Sequence, residues 1–420
     1  MRVSISILAL FLTGSAWAET VIHAGKLFDS TAGKVIDGAT IVVEGERILS
    51  VQPGYAGEPD IDLTGSFVMP GWIDMHVHIA SQQSPGRFVE TFTLEPADSA
   101  LRAVPYAERT LMAGFTTVRD LGTRHGLAQS IRRAIAEGRI AGPRIYTSGK
   151  SLASTGGHAD PSNGVNRELR GDPGPEEGVV NGVDDAYKAV RARYKEGADL
   201  IKITATGGVL SQARSGLNPQ FTEEEIAAIV SAAADYGYRV AAHAHGDEGM
   251  RRAVAAGVHS IEHGTYMSDE VMELMKEKGA WYVPTIMAGR FVAEKSAVEG
   301  YFSDVVRPKA AAIGPVIAAT FARAYRAGVP IAFGTDSGVS PHGDNWKEFI
   351  YMVEAGMPAV EAIVSATRNA AVLLNEWDEL GSISPGKFAD IVAVPGDPRE
   401  DPEEFGRVHF VMKAGKVFRQ

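Results

Sequence analysis

Short apolar runs ending in polar residues recur along the middle of this chain, with helix-period stretches between them. The first lies at 69–78, where Met69-Pro70-Gly71 leads into Trp72-Ile73-Asp74-Met75-His76-Val77-His78. Others follow at 115–120, 144–149, 200–206, 239–245, 260–263, 281–285 and 331–336, eight in all. Each reads as a strand. Helical patterns fill the gaps. One opens at Thr222 with Glu225 three residues on, a capping-box spacing, and runs to about 236. Others span 247–256, 268–278 and 305–327. Strand and helix in alternation mark a parallel α/β sheet, and eight repeats predict a (β/α)8 TIM barrel. A doubly wound open sheet is the alternative. No glycine-rich phosphate loop opens a helix after a strand, so nucleotide binding has little support.

The two ends follow a different pattern. Runs at 21–27 and 40–48 read as strands broken at glycines, and so do those at 389–394 and 408–418. Neither end is long enough to bury a core alone, so the termini are expected to meet in one small β-sandwich. The predicted organisation is a leader at 1–18, an N-terminal sandwich part at 19–68, the barrel at 69–380 and a C-terminal sandwich part at 381–420. His23 and His409 fall in the sandwich, away from the chemistry. In the leader, Arg2 precedes the apolar run 5–12 and Ala16-Trp17-Ala18 supplies a small-x-small cleavage site. The run is too short to span a bilayer. Removal of the leader would leave a periplasmic or secreted chain with no membrane attachment.

Composition narrows the chemistry. A net charge of −11 argues against a nucleic-acid partner. The chain has no cysteine, which excludes disulfides, thiolate ligands and a cysteine nucleophile. Any metal site must use His, Asp, Glu or Lys. His76 and His78, two apart on a strand, project from one face and can chelate one ion. Lys202 lies in the apolar run Asp199-Leu200-Ile201-Lys202-Ile203, where a strand covered on both faces would carry Val or Ile. A buried ammonium loses its proton or finds a partner. The neutral amine can take up CO2 as a carbamate able to bridge two metal ions; the competing reading is a salt bridge to Asp199 or Glu196. His243, His245, His263 and Asp336 complete the set. All sit at the C-terminal ends of predicted strands, the face where barrel loops carry chemistry. Folding alone gives no reason to gather so many ionisable groups there.

His76-Val77-His78, Lys202, His243, His263 and Gly334-Thr335-Asp336, with Pro70-Gly71-Trp72-Ile73-Asp74 and Gly386-Lys387-Phe388-Ala389-Asp390, resemble the signature of the amidohydrolase superfamily. Within it the chain is similar to the imidazolonepropionase-related branch of Xaa-Pro and other Xaa-dipeptidases and carboxypeptidases, in particular its secreted ochratoxin A-hydrolysing members. The resemblance implies a barrel with a sandwich built from both termini, and a binuclear centre, usually of zinc. It implies that His76, His78 and Asp336 hold one ion and His243 and His263 the other, bridged by carboxylated Lys202 and a hydroxide. Sequence leaves open whether His243 or His245 is the ligand. His243 is assigned to metal and His245 to substrate or oxyanion, at a position where relatives often carry tyrosine. His158, in Thr155-Gly156-Gly157-His158, resembles a substrate-binding loop histidine, and Arg214 could pair with a substrate carboxylate. His125, His259 and His342 receive no role; Asp120 and Glu262 read as structural partners.

The expected reaction is metal-assisted hydrolysis of the amide bond of an N-acyl amino acid or dipeptide with a free carboxylate, with ochratoxin A one candidate. Asp336 would move the proton and His245 would steady the oxyanion. Three alternatives stand beside it: a lactonase or ester hydrolase with the same centre, an imidazolonepropionase- or deaminase-like hydrolase using one metal and no bridging lysine, and a non-catalytic extracellular metal-binding protein. Family members often form homo-oligomers, and no interface signature stands out in the chain itself.

Overall fold

A computed structural model describes residues 19–420. The leader predicted at 1–18 lies outside the described residues. The two ends of the chain join one seven-stranded sheet. Its N-terminal strands are β1 (Glu19–Asp29), β2 (Lys34–Glu44), β3 (Arg47–Pro53) and β4 (Ile61–Pro70). The central strands are β5 (Trp72–Val77), β6 (Phe115–Asp120), β7 (Arg144–Thr147), β8 (Ile201–Thr204), β9 (Val240–Ala244), β10 (Ser260–His263) and β11 (Trp281–Val283). The last three, β12 (Ile391–Val394), β13 (Phe410–Lys413) and β14 (Lys416–Arg419), return to the first sheet, whose order is β14-β13-β12-β4-β1-β2-β3. β4 pairs parallel with β1 and antiparallel with β12, placing Val392 opposite Met69. Ile22, Ile41, Leu63, Val68, Ile391 and Phe410 form a buried cluster on this sheet.

β4 runs two residues beyond the boundary predicted at 68, and Gly71 alone separates it from β5. A Cβ at Gly71 would lie 2.2 Å from Thr116 Oγ1, so glycine lets this turn press against β6. Trp72, the next residue, packs edge-on against Phe115, Phe349 and Phe405 and locks the start of β5 into the core.

All the central strands pair in parallel, β5-β6-β7 in one set and β8-β9-β10-β11 in another. Single bridges connect the sets. Leu152, just past β7, pairs with Ile203, and Tyr282 pairs with Ile331. Ser337 then pairs with Val77, which carries the hydrogen bonds round to β5. The predicted eighth strand at 331–336 is therefore present as an irregular segment, bonded to β11 through Ala332 and to β5 through Phe333 and Asp336. Its backbone is diverted where the Thr335 amide donates to Asp74 and the Ser337 amide to the Thr335 hydroxyl, and by Asp336, whose φ is 58°. Helices cover the outside, among them Glu223–Ala234 with a complete Thr222–Glu225 capping box, Asp247–Ala255, Asp269–Lys278 and Arg307–Arg326. These lie within a residue or two of the sequence reading. Among the described residues no helix is long and apolar enough to cross a membrane.

Candidate metal centre

His76 ends the inner face of β5, and His78 follows just past the strand. Both rings use one nitrogen outward. His76 Nδ1 lies 2.9 Å from Glu262 Oε2, and His78 Nδ1 lies 3.3 Å from the Gly122 carbonyl. Each therefore keeps its Nε2 lone pair for the interior. Glu262 is fully buried and is itself fixed by Arg119 at 2.8 Å and by the Ser260 hydroxyl at 2.6 Å. Burial works against its charge, but Arg119 and His76 hold its carboxyl well below the usual range.

The other histidines repeat this arrangement. His243 Nε2 meets the Gly207 carbonyl at 3.1 Å, leaving Nδ1 free. His263 Nδ1 meets the Thr285 hydroxyl at 2.7 Å, and His245 Nδ1 meets that of Thr265 at 2.8 Å. His243 and His263 ring centroids are 4.7 Å apart, and His76 and His263 are 5.0 Å apart. Lys202 Nζ lies 3.4 Å from His76 Nε2. Neither competing salt bridge forms, because Asp199 pairs with Arg132 and Glu196 with Arg193. Burial lowers the Lys202 ammonium to about 8, and Glu262 and Asp336 limit the fall.

Asp336 faces the pair of β5 histidines. Its Oδ1 is 3.2 Å from His78 Nε2 and 3.5 Å from His76 Nε2, yet it is buried without a hydrogen bond. One ligand atom each from His76, His263 and Asp336 falls within 4.8 Å of the others. An orphaned buried carboxylate oxygen among inward imidazole lone pairs is a donor set that fits a divalent cation. Burial lowers His76 to about 4 and His245 to about 4, so both rings are neutral at pH 7 and available as ligands or hydrogen-bonding groups. Among the described residues, three of the six non-glycine residues with positive φ, His263, Thr285 and Asp336, lie here. Backbone strain of this kind persists where surrounding structure over-determines it. At Asp336 the surroundings are Asp74, Thr335 and Asn345: Asp74 accepts from the Thr335 hydroxyl at 2.6 Å and from Asn345 Nδ2 at 2.7 Å.

A cavity of about 270 Å³ opens over these groups. His158 lines it and stacks on His243 with centroids 4.4 Å apart. Arg214 does not line it. Lys309 donates to the carbonyls of Gly208, Ser211 and Ala213, which ties the loop to the helix Arg307–Arg326, and Arg214 is left exposed. The structure thus places Arg214 away from the other site residues, on a stretch whose path is set by a lysine nearly a hundred residues away, which local sequence does not reveal. The residues that sequence reasoning passed over are Asp74, Arg119, Thr265, Thr285 and Asn345, together with the orienting role of Glu262. Asp74 lay inside the quoted motif and was the one with a visible signal, a carboxylate in an otherwise apolar strand.

The Amidohydrolase family model matches residues 67–418. Ochratoxinase of Aspergillus niger is 33% identical over 427 aligned positions, covering 95% of this chain and 86% of that protein. A solved Xaa-Pro dipeptidase with methionine bound in its active site is 53% identical, with a TM-score of 0.93 over 96% of this chain and 100% of the other. A prolidase complexed with N-methylphosphonate-L-proline is 34% identical with a TM-score of 0.87, again covering 96% and 100%. The chain belongs to the amidohydrolase family. It is a hydrolase, and its class acts on amides.

Proposed function

We propose that this protein is a binuclear metal-dependent amidohydrolase that cleaves the amide bond of dipeptides or N-acyl amino acids bearing a free carboxylate. The observation that carries the reading is the inward set of His76, His78, Lys202, His243, His263 and Asp336, with the orphaned Asp336 Oδ1 among them. We also read the ring of parallel segments as a (β/α)8 barrel and the joined terminal strands as its companion β-sandwich; the parallel pairings and linking bridges support this. The sequence of the leader favours an exported enzyme.

His76, His78 and Asp336 would hold one ion, and His243 and His263 the second. Lys202, as its carbamate, would serve both. Divalent cations held by these residues, zinc by preference, would lower the pKa of a water and polarise the scissile carbonyl. Asp336 accepts the proton of the attacking water and returns it to the leaving amine. His245, neutral and with Nε2 free of its Thr265 contact, donates to the developing oxyanion. His158 steadies the substrate beside His243. Val209, Val292, Ile313 and Ile317 form an apolar wall of the cavity, which suits an apolar amino-acid side chain. The similar Xaa-Pro dipeptidase holds methionine, an apolar amino acid, in its active site.

The test is to purify the protein with zinc and bicarbonate, count its ions, and assay dipeptides and ochratoxin A beside Lys202→Ala. About two ions per chain and loss of hydrolysis by 10²-fold or more in the variant are expected. One ion per chain, or a variant as active as its parent, overturns the bridged centre.

A further inference from the structure

The cavity's polar floor is spoken for by the centre described above, and its wall is apolar. What remains is its rim, where Arg124, Lys150 and Glu177 face the opening. Glu177 is turned to its own loop, where its Oε2 accepts from the Gly174 amide at 3.1 Å. Lys150 Nζ donates to the Glu176 carbonyl at 2.9 Å. The Arg124 side chain has neither a hydrogen bond nor an ion-pair partner among the described residues. It is exposed at this rim, where a carboxylate entering the cavity from solvent can reach it.

Its backbone is held in place. Arg124 follows β6 in a turn whose Gly122 carbonyl orients His78. Thr123 anchors that turn twice, by its amide to the Gly149 carbonyl at 2.9 Å and by its hydroxyl to Asp120 Oδ2 at 2.8 Å. His125 and Gly126 then take consecutive left-handed conformations, with φ of 59° and 64°, before the helix Leu127–Ala136 begins. The local field is cationic. His125 is lowered by burial and by Arg124, Lys150 and Arg170, and Arg124 in turn feels Arg170 and Arg87. The one carboxylate that tempers Arg124, Asp160, is occupied by the Gly156 amide and by the Ser162 amide and hydroxyl.

We infer that Arg124 is the residue that receives the substrate's free carboxylate, selecting substrates with an α-carboxylate over their amides. This rests on the hydrolytic reading above and replaces Arg214 in the role first given to it. A guanidinium pairs with a carboxylate through two parallel N–H donors. Held two residues past the carbonyl that orients His78, it would fix how far the scissile bond lies from the centre.

The test measures binding rather than turnover. The full zinc-loaded protein is titrated by calorimetry with N-acetyl-L-methionine and with N-acetyl-L-methioninamide. The parent is expected to prefer the acid by roughly ten- to a hundredfold, the worth of a charge-assisted hydrogen bond. Arg124→Gln should erase that preference by weakening the acid alone, and Arg124→Lys should restore part of it. An Arg124→Gln protein that keeps the parent's preference overturns the role of Arg124 and leaves a carboxylate-selective site intact. A parent that binds acid and amide alike overturns both. A protein that shows the expected binding but hydrolyses no amide supports Arg124 and sinks the hydrolytic reading instead.

Discussion

Glu262 shows how much a single buried carboxylate can organise. One oxygen sets the tautomer of His76, and the other neutralises Arg119, which also reaches the Met75 carbonyl at 2.6 Å. Both partners are buried. Glu262→Gln should therefore act in two ways. Metal affinity is expected to fall about ten- to a hundredfold, read by competition with a chelator of known affinity. Stability should fall by about 3 kcal/mol, read by urea denaturation, because Arg119 is left as an uncompensated buried charge. Residues of this kind were only partly legible beforehand. His76, Lys202 and Asp336 stand out in the sequence because polar groups interrupt apolar strands. The partners of His263 and His245 do not, since Thr285 and Thr265 are ordinary turn residues until the backbone brings them under the rings.

At the level of elements, local rules worked where local forces decide. Thr222 accepts from the Glu225 amide and Glu225 from the Thr222 amide, so the capping signal gave the start of the helix Glu223–Ala234. The segment at 331–336 resisted because tertiary hydrogen bonds around Asp74 bend it out of regular pairing. The loop from 207 to 216 is likewise shaped by distant contacts, held from outside by Lys309. Burial lowers that ammonium to about 8, and its three carbonyl contacts are the tether. Lys309→Met should release the loop. Hydrogen exchange of the amides from 209 to 216 is expected to speed up while the central strands stay protected; unchanged exchange would show that the loop holds itself.

Over the whole molecule, the centre makes stability depend on pH. His76 and His245 are lowered to about 4 and His158 to about 3, against an ordinary value near 6.5, mainly by burial. Below about 6.5 the unfolded chain takes up protons that the folded chain refuses. The contribution of these three rings to the stability of metal-stripped protein should thus be flat above about pH 6.5 and fall toward about pH 4. Thermal melts across that range check it, and zinc should steepen the acid loss because protons compete for the same nitrogens.

The sheet built from both ends has a further consequence, which concerns the order of synthesis. β4 delivers the chain through Gly71 into β5 and so to His76 and His78, yet one edge of β4 is paired with β12. β12, at Ile391–Val394, is made long after β4. While the ribosome is still at work, the strand that opens the centre has an unpaired edge and an uncovered apolar face. Two segments far apart in the chain complete each other, so a chain cut short before residue 391 would leave β4 without the partner that supports the entry to His76 and His78.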